Sequence, residues 1–173
     1  MPRFNAGDRV QLVGDIARFY KCAVGLIVDN GGTGVSVLNQ YKARLADGTT
    51  AVFFDFQLQT PPAIHARTVF DSAVSKKEAG TRGALSGRHV QLVSRDVEIH
   101  LKVSGSLQKS IIGQVATGTA LVGCTLVTLT QNGKSISKPA DAAGEFVFTE
   151  ISDGDVAVEV FARDRRIIVA CVI

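Results

Sequence analysis

The chain has 173 residues, of which 46% are hydrophobic and 20% are charged, and its formal net charge is +3. This length allows one ordinary domain or two small ones, and the hydrophobic content argues against a disordered chain. The near balance of basic and acidic residues excludes the strong basic excess that is typical of a dedicated DNA-binding protein.

The first 60 residues alternate apolar and polar side chains with the period of two that indicates half-buried strands. Strands are predicted over residues 8–13, 21–29, 41–46, 49–54 and 56–59. Asp47 and Gly48 form a two-residue hairpin signal between the third and fourth strands. Residues 15–20 interrupt the pattern and fit either a long loop or one helical turn. Five short strands with hairpin connections predict a small barrel, because closure removes exposed sheet edges.

Three segments of this block carry a family pattern, in which an early Gly-Asp-x-Val strand precedes a Gly-x-Ile/Val strand. They are Phe4–Val13, Gly25–Asp29 and Tyr41–Gly48. On these segments the block resembles the SH3-like barrel superfamily, in particular its KOW-type and Tudor-type members. The resemblance implies a small barrel over residues 1–60, in which the loop after the first strand borders a ligand groove.

Two prolines, Pro61 and Pro62, end the first block. The residues that follow, up to position 87, have no clear periodicity apart from one candidate extended piece at Arg67–Phe70. We interpret residues 61–87 as a linker between two domains. The alternative is a docking segment that becomes ordered on a partner.

The second block predicts about eight strands with regular turn signals between them, as in a β-sandwich. Asp96–Val103 is the clearest, since Val97, Ile99 and Leu101 point one way and the polar residues between them the other. The predicted strands cover residues 88–93, 96–103, 109–116, 124–131, 134–138, 145–149, 155–162 and 165–172.

A second family pattern reads Gly-x-Val, then Gly-x-x-Val-x-Leu, Thr-Asp-x-x-Gly-x-Phe and Gly-x-Tyr-x-Val. This block follows it with Ala140 in place of the threonine before Asp141 and without the late aromatic residue. The segments that carry it are Ile111–Val115, Gly123–Leu129, Asp141–Phe148 and Gly154–Val160. They resemble the carboxypeptidase regulatory-like, transthyretin-like domain. The resemblance implies a Greek-key β-sandwich over residues 88–173 that serves as a binding module, in bacteria as an accessory protein of signalling or sigma-factor regulatory circuits.

Catalytic and metal-binding patterns are missing from the sequence. His65, His89 and His100 are far apart in sequence, and neither a nucleophile elbow nor paired metal-ligand spacing occurs. We therefore predict no enzyme activity, no cofactor and no metal. Cys22, Cys124 and Cys171 are scattered among apolar residues, and we interpret them as buried, reduced thiols.

Two groups of basic and aromatic residues are candidate partner-binding surfaces. The alternative for the first is that Phe19 or Tyr20 plugs one end of the barrel, and for the second that it is a charged hairpin tip. A peptide or a nucleic-acid backbone suits the first group, and an acidic partner suits the second. The first group comprises Arg18, Phe19, Tyr20, Lys21, Tyr41, Lys42 and Arg44, and the second comprises Arg163, Arg165 and Arg166.

The sequence as a whole predicts an all-β protein, with an SH3-like barrel and a transthyretin-like β-sandwich joined by a linker. We expect a non-catalytic adaptor that binds another protein, with nucleic-acid binding through the barrel as the alternative. No signal peptide and no apolar run of the roughly 18 residues that a membrane helix needs is recognised, so that a cytoplasmic location without membrane contact is expected.

Overall fold

The computed structural model describes residues 2–31, 38–75, 87–95, 97–106, 108–117, 125–162 and 165–172. The fold is all-β, as predicted, and its strands form three five-stranded sheets. One sheet belongs to an N-terminal unit, which covers residues 2–59. The other two belong to a sandwich, which covers residues 63–172.

The N-terminal unit contains the five predicted strands, in the sheet order β4-β3-β2-β1-β5 with antiparallel pairing throughout. A 3₁₀ helix at Gly14–Phe19 follows β1, which settles the predicted choice between a loop and a helical turn, and another at Asp55–Gln57 precedes β5. The strands are β1 (Arg9–Leu12), β2 (Val24–Asp29), β3 (Gln40–Leu45), β4 (Thr50–Phe54) and β5 (Leu58–Gln59).

Alternation along β3 shows why this sheet has one buried face. Tyr41, Ala43 and Leu45 point into the core, whereas the residues between them point to solvent. Phe4 and Phe53 pack into the same core. The two-residue period of the sequence therefore decides which side chains of this unit can meet a partner.

The sandwich consists of two sheets, in the orders β13-β10-β9-β8-β7 and β12-β11-β14-β15-β6. The first is called sheet C and the second sheet B below. A four-residue helix, α1 (Ser72–Ser75), follows β7. The strands are β6 (Ala63–His65), β7 (Arg67–Asp71), β8 (Arg88–Ser94), β9 (Val97–Ser104), β10 (Lys109–Thr117), β11 (Leu126–Gln131), β12 (Lys134–Pro139), β13 (Glu145–Ile151), β14 (Asp155–Ala162) and β15 (Arg165–Val172).

Apolar side chains from both sheets form one core between them. Ile99 and Phe148 of sheet C and Val127 and Val158 of sheet B are fully or almost fully buried there. The aromatic rings of Phe146 and Phe148 meet edge to face, with 5.9 Å between their centroids. This core is the sandwich predicted from the alternating strands of the second block.

The linker predicted over residues 61–87 is wrong in its bounds, because two strands of the sandwich lie within it. β6 pairs in parallel with β15, and β7 pairs antiparallel with β8, so that each completes one sheet. β7 includes the extended piece predicted at Arg67–Phe70. Both strands lie at sheet edges and are mostly exposed, and they therefore lack the apolar alternation that reveals the inner strands. Residues 76–86 of the predicted linker lie outside the described part of the chain.

The N-terminal unit packs against the outer face of sheet B. Leu126 of β11 and Phe161 of β14 are buried in the core of the N-terminal unit rather than in that of the sandwich. Arg9 forms an ion pair with Glu159, with 2.9 Å between Nε and Oε2, and its guanidinium lies 5.4 Å from the ring centroid of Phe161. The two paired atoms are buried and form no hydrogen bond, but the ion pair places opposite charges next to each other at the contact between the two units.

The prediction of three reduced cysteines is wrong for Cys22. This residue is buried, as predicted, but it is disulfide-bonded. Cys124 lies outside the described residues, and the side chain of Cys171 does as well. The disulfide removes one of the observations on which the expected cytoplasmic location depended, because disulfides persist mainly in oxidising compartments.

Candidate binding surfaces

The outer side of β3 and β4 forms the first candidate surface, which we call the β3–β4 face. Gln40 lies opposite Phe54, Lys42 opposite Val52, and Arg44 opposite Thr50. All of these side chains alternate with the buried residues of the same strands. Among the described strands β4 pairs with β3 alone, so that its other edge lies at the border of the sheet.

One end of the β3–β4 face is apolar. Val52 is 59% exposed and Phe56 is 65% exposed, and the ring of Phe56 stacks in parallel on that of Phe54 with 5.7 Å between centroids. Leu38 extends this end, since the backbone N–H of Asp55 donates to the carbonyl of Asn39 and so continues the β3–β4 ladder by one step. Several large apolar side chains on one edge indicate a contact surface more strongly than isolated ones do.

The other end of the β3–β4 face is basic. Lys42 and Arg44 are exposed, and within the described residues neither forms a salt bridge. Asp29 of β2 lies opposite Lys42 of β3, after a shift in the pairing register, and the two side chains form no salt bridge. Two basic side chains therefore remain available for an acidic group of a partner.

Two tyrosines of the first predicted group lie elsewhere. Tyr41 is buried, and its hydroxyl accepts a hydrogen bond of 2.7 Å from the backbone N–H of Arg3. Tyr20 is half-buried with its ring edge-on to Phe53, so that it packs on the core of the N-terminal unit. The prediction that Tyr41 belongs to the binding surface is wrong, because neighbouring residues of a strand point to opposite faces.

The remaining residues of the first group lie on or after the 3₁₀ helix. Arg18 is exposed and paired with Asp15 at 3.4 Å, and Phe19 is the most exposed large apolar side chain of the described residues. Lys21 is exposed as well. Of the second group, Arg163 and the side chains of Arg165 and Arg166 lie outside the described part of the structure, and the backbone of Arg165 and Arg166 belongs to β15.

A groove of about 520 Å³ on the outer face of sheet C is the second candidate surface. Its lining includes a straight row of side chains that face one another across five neighbouring strands. The row consists of Phe70, Gln91, His100, Gln114 and Glu145. It extends over four strand spacings, roughly 19 Å.

A second row runs beside the first, two residues further along each strand. His89, Lys102 and Ile112 line the groove from this row. At one end, Ser72 at the start of α1 is buried and its hydroxyl accepts a hydrogen bond of 2.9 Å from the backbone N–H of His89. The described outward-facing side chains of the lining thus comprise two apolar groups, two imidazoles, two amides and one charge of each sign.

Two side chains of the first row are oriented by local contacts. Gln114 donates from Nε2 to the carbonyl of Ala143 at 3.3 Å. His100 lies with Nε2 at 3.5 Å from Oε2 of Glu98 on the same strand. Both contacts lie at the exposed surface of the groove.

Sequence reasoning missed the groove. His89 and His100 are far apart in sequence, but the β8–β9 register makes them diagonal neighbours on one face. The signal that could have revealed it was the run of polar residues at alternate positions, Glu98, His100 and Lys102, which marks an outer face. Pairing register cannot be derived from that run alone.

Within the described residues, no group of three or more His, Cys, Asp or Glu side chains could hold a metal ion. Asp141 accepts hydrogen bonds from the backbone N–H groups of Ala143 and Glu145, each at 2.8 Å, and so shapes a turn. No helix in the described part of the chain has the length and apolar character that crossing a membrane requires.

Comparisons with protein-family models, with curated proteins and with solved structures found no match to this chain.

Proposed function

We propose that this chain is a non-catalytic protein-interaction module, whose N-terminal unit binds an extended segment of another protein at the β3–β4 face. The observation that carries the proposal is the stack of half-buried Phe54, at the end of the edge strand β4, on exposed Phe56 of the following 3₁₀ helix. Lys42 and Arg44 lie on the same face and form no salt bridge within the described residues. An edge strand offers backbone groups to an added strand, and its side chains select the sequence of that strand.

The chemistry of the face indicates the chemistry of the partner segment. A strand added to β4 would place apolar side chains against Val52 and Phe54. Further along β4 the added strand would pass Thr50, which has a small side chain and lies between the added strand and Arg44 of β3. Two strand spacings, roughly 10 Å, then separate the added strand from β3, which long side chains of opposite charge can bridge. The expected segment is therefore apolar at one end and acidic at the other.

Binding of short fluorescent peptides tests this proposal. In the probe peptide every second residue is threonine. The residues between the threonines are two valines followed by two glutamates. We expect it to bind, and we expect Lys42→Glu to weaken binding by about tenfold or more, because one lost charge-assisted contact is worth about 1.5–3 kcal/mol. Phe56→Ala should weaken it as well. Anisotropy titration at two salt concentrations measures both effects, since an exposed ionic contact is screened by salt.

Matched controls separate this face from general charge. Lys134→Glu reverses an exposed lysine on β12 and should leave the affinity unchanged within about twofold. A counterpart probe with lysine in place of glutamate should not bind. Equal binding of both probes, or equal effects of the two charge reversals, would reject the proposal.

Single-stranded nucleic acid is the second candidate partner, because exposed aromatic rings near basic side chains also suit stacked bases and phosphates. Tight, salt-sensitive binding of oligothymidylate in the same assay, with no binding of the acidic peptide, would favour it. A role in a bacterial signalling or sigma-factor regulatory circuit is proposed from the sequence resemblances alone. A pull-down from host extract with and without nuclease would identify the natural partner.

A further inference from the structure

We propose that the groove on sheet C is a second, separate binding site, and that its ligand is a neutral oligosaccharide. It lies on the sandwich, whereas the β3–β4 face belongs to the N-terminal unit. The inference does not depend on the peptide-binding proposal. It rests on the side chains of the groove, on their order across the strands and on the direction in which the groove runs.

The charges of the groove argue against an anionic ligand. Among the described lining residues, Lys102 is the one cationic side chain apart from the histidines, and Glu145 supplies a negative charge. Arg88 lies nearby on β8, but its guanidinium is held by Asp71. A phosphate or nucleotide site normally gathers several cationic or N–H donors around the anion. The part of the lining that the structure describes carries one charge of each sign, which suits an uncharged ligand.

The direction of the groove argues against a peptide strand. Peptides that join a sheet lie along its edge and pair with its backbone. The row from Phe70 to Glu145 instead crosses β8, β9 and β10 at right angles to the strands, where backbone groups are already paired. A ligand that lies across the strands contacts side chains and not free backbone groups. It therefore needs hydrogen-bond donors and acceptors that match those of the side chains.

The polar side chains match hydroxyl groups. An amide offers both donors and an acceptor, and a neutral imidazole offers one of each. Gln91, His100 and Gln114 place such groups at successive strand spacings along the floor. A sugar hydroxyl likewise donates and accepts. The apolar side chains of Phe70 and Ile112 offer surfaces for the C–H faces of sugar rings.

The number of carboxylates among the described lining residues fits a sugar-binding site and not a glycosidase. Cleavage of a glycosidic bond generally uses two carboxyl groups on opposite sides of the bond. Among the described residues, Glu145 is the single carboxylate of the lining, and it lies at one end of the row. The neighbouring Glu98 interacts with His100. Bound sugar should therefore be released unchanged.

The whole chain, labelled with ¹⁵N, is titrated separately with cellohexaose, maltohexaose, xylohexaose and chitohexaose. NMR records the backbone amide signals at each step. Concentrations of about 10 mM would nearly saturate a site with a Kd near 1 mM. We expect at least one of these sugars to shift the amide signals of His100, Ile112 and Gln114 while those of the N-terminal unit stay in place. Gln114→Leu and His100→Leu should each weaken that binding about tenfold, because each leaves hydroxyl groups unpaired.

Gln108→Leu is the matched control, since Gln108 is an exposed glutamine between β9 and β10 that does not line the groove. It should not change the affinity for the sugar. Absence of shifts with all four sugars overturns the proposal. Binding that both groove variants leave intact places the sugar elsewhere and overturns it too. Binding of the acidic peptide at the β3–β4 face is measured separately, so that either proposal can fail without the other.

Discussion

Asp71 and Arg88 join the end of β7 to the start of β8 across the part of the chain that the sequence suggested to be a linker. Arg88 donates from Nε to Oδ1 of Asp71 at 2.9 Å, and the backbone N–H of Ala73 donates to the same oxygen at 2.9 Å. The carboxylate is only 12% exposed. The hydrogen bond from Arg88 lowers the pKa of Asp71 below its ordinary value, although partial burial acts in the opposite direction.

This lowered pKa makes the contact sensitive to acid. The stabilisation is present above the unfolded pKa of about 3.9 and is lost as the pH falls through the folded value. We expect Asp71→Asn to lower the free energy of unfolding by about 1–2 kcal/mol at pH 7. The difference from the unchanged chain should shrink towards pH 3. Urea unfolding at both pH values measures it.

Asp29→Asn provides the comparison, because Asp29 is exposed and forms no salt bridge within the described residues. It should change stability little at either pH. If the two variants had the same pH dependence, the effect would belong to net charge and not to the contact between Asp71 and Arg88.

Single residues also show how far the sequence could define the candidate surfaces. Lys42 and Arg44 were predicted at a binding surface and are exposed together. Tyr41 lies between them in sequence but on the other side of the strand, so that a contiguous segment could not be a contiguous surface. The apolar half of the face, with Phe54 and Phe56, was missed because the sequence suggested that these residues belong to strands without indicating which side is outside.

At the scale of elements, the pairing of β10 with β13 depends on a glycine. Gly113 lies opposite Phe146, and a Cβ atom at Gly113 would overlap the ring of Phe146. This explains physically the glycine of the segment Ile111–Val115, on which the sequence resemblance partly rests. The ring fills the space that a side chain would otherwise take.

Gly113→Ala should therefore destabilise the sandwich by about 1–3 kcal/mol, as overpacking of a core does. Combining it with Phe146→Leu tests the cause. If the ring is the obstacle, the double variant should lose less stability than the sum of the single variants, and chemical unfolding of all three chains measures this coupling. Additive losses would mean that a contact other than the one with the ring makes glycine necessary.

Elements with strong alternation were predicted with small errors, and those without it were not. The strand predicted at residues 155–162 is observed as Asp155–Ala162, because Val156, Val158 and Val160 all face the core. β6 and β7 have few buried residues and were assigned to a linker apart from one extended piece. Edge strands owe their position to pairing with a neighbour, which a pattern of apolar residues does not record.

The whole molecule behaves as two units with a shared boundary. Phe161 belongs to a sandwich strand, but its ring is buried in the core of the N-terminal unit. We expect the intact chain to unfold in one calorimetric transition. Phe161→Ala should destabilise the contact by about 3–5 kcal/mol and separate the unfolding of the two units into two transitions.

Phe148→Ala is the matched change, since Phe148 is equally buried but lies in the sandwich core. It should lower the melting temperature of the sandwich without involving the contact between the units. Calorimetry of Phe161→Ala that still showed one transition would mean that other contacts couple the units, for example the pair of Arg9 with Glu159.

The parallel pairing of β6 with β15 has a consequence for the time course of folding. Ile64 meets Ile167, about a hundred residues later in the chain. At translation rates of roughly 5–20 residues per second, β6 would wait about 5–20 s for its partner strand to be synthesised. The five strands of the N-terminal unit, in contrast, all lie within the first 59 residues. During synthesis the N-terminal unit can therefore reach its final pairing while sheet B still lacks its last strand.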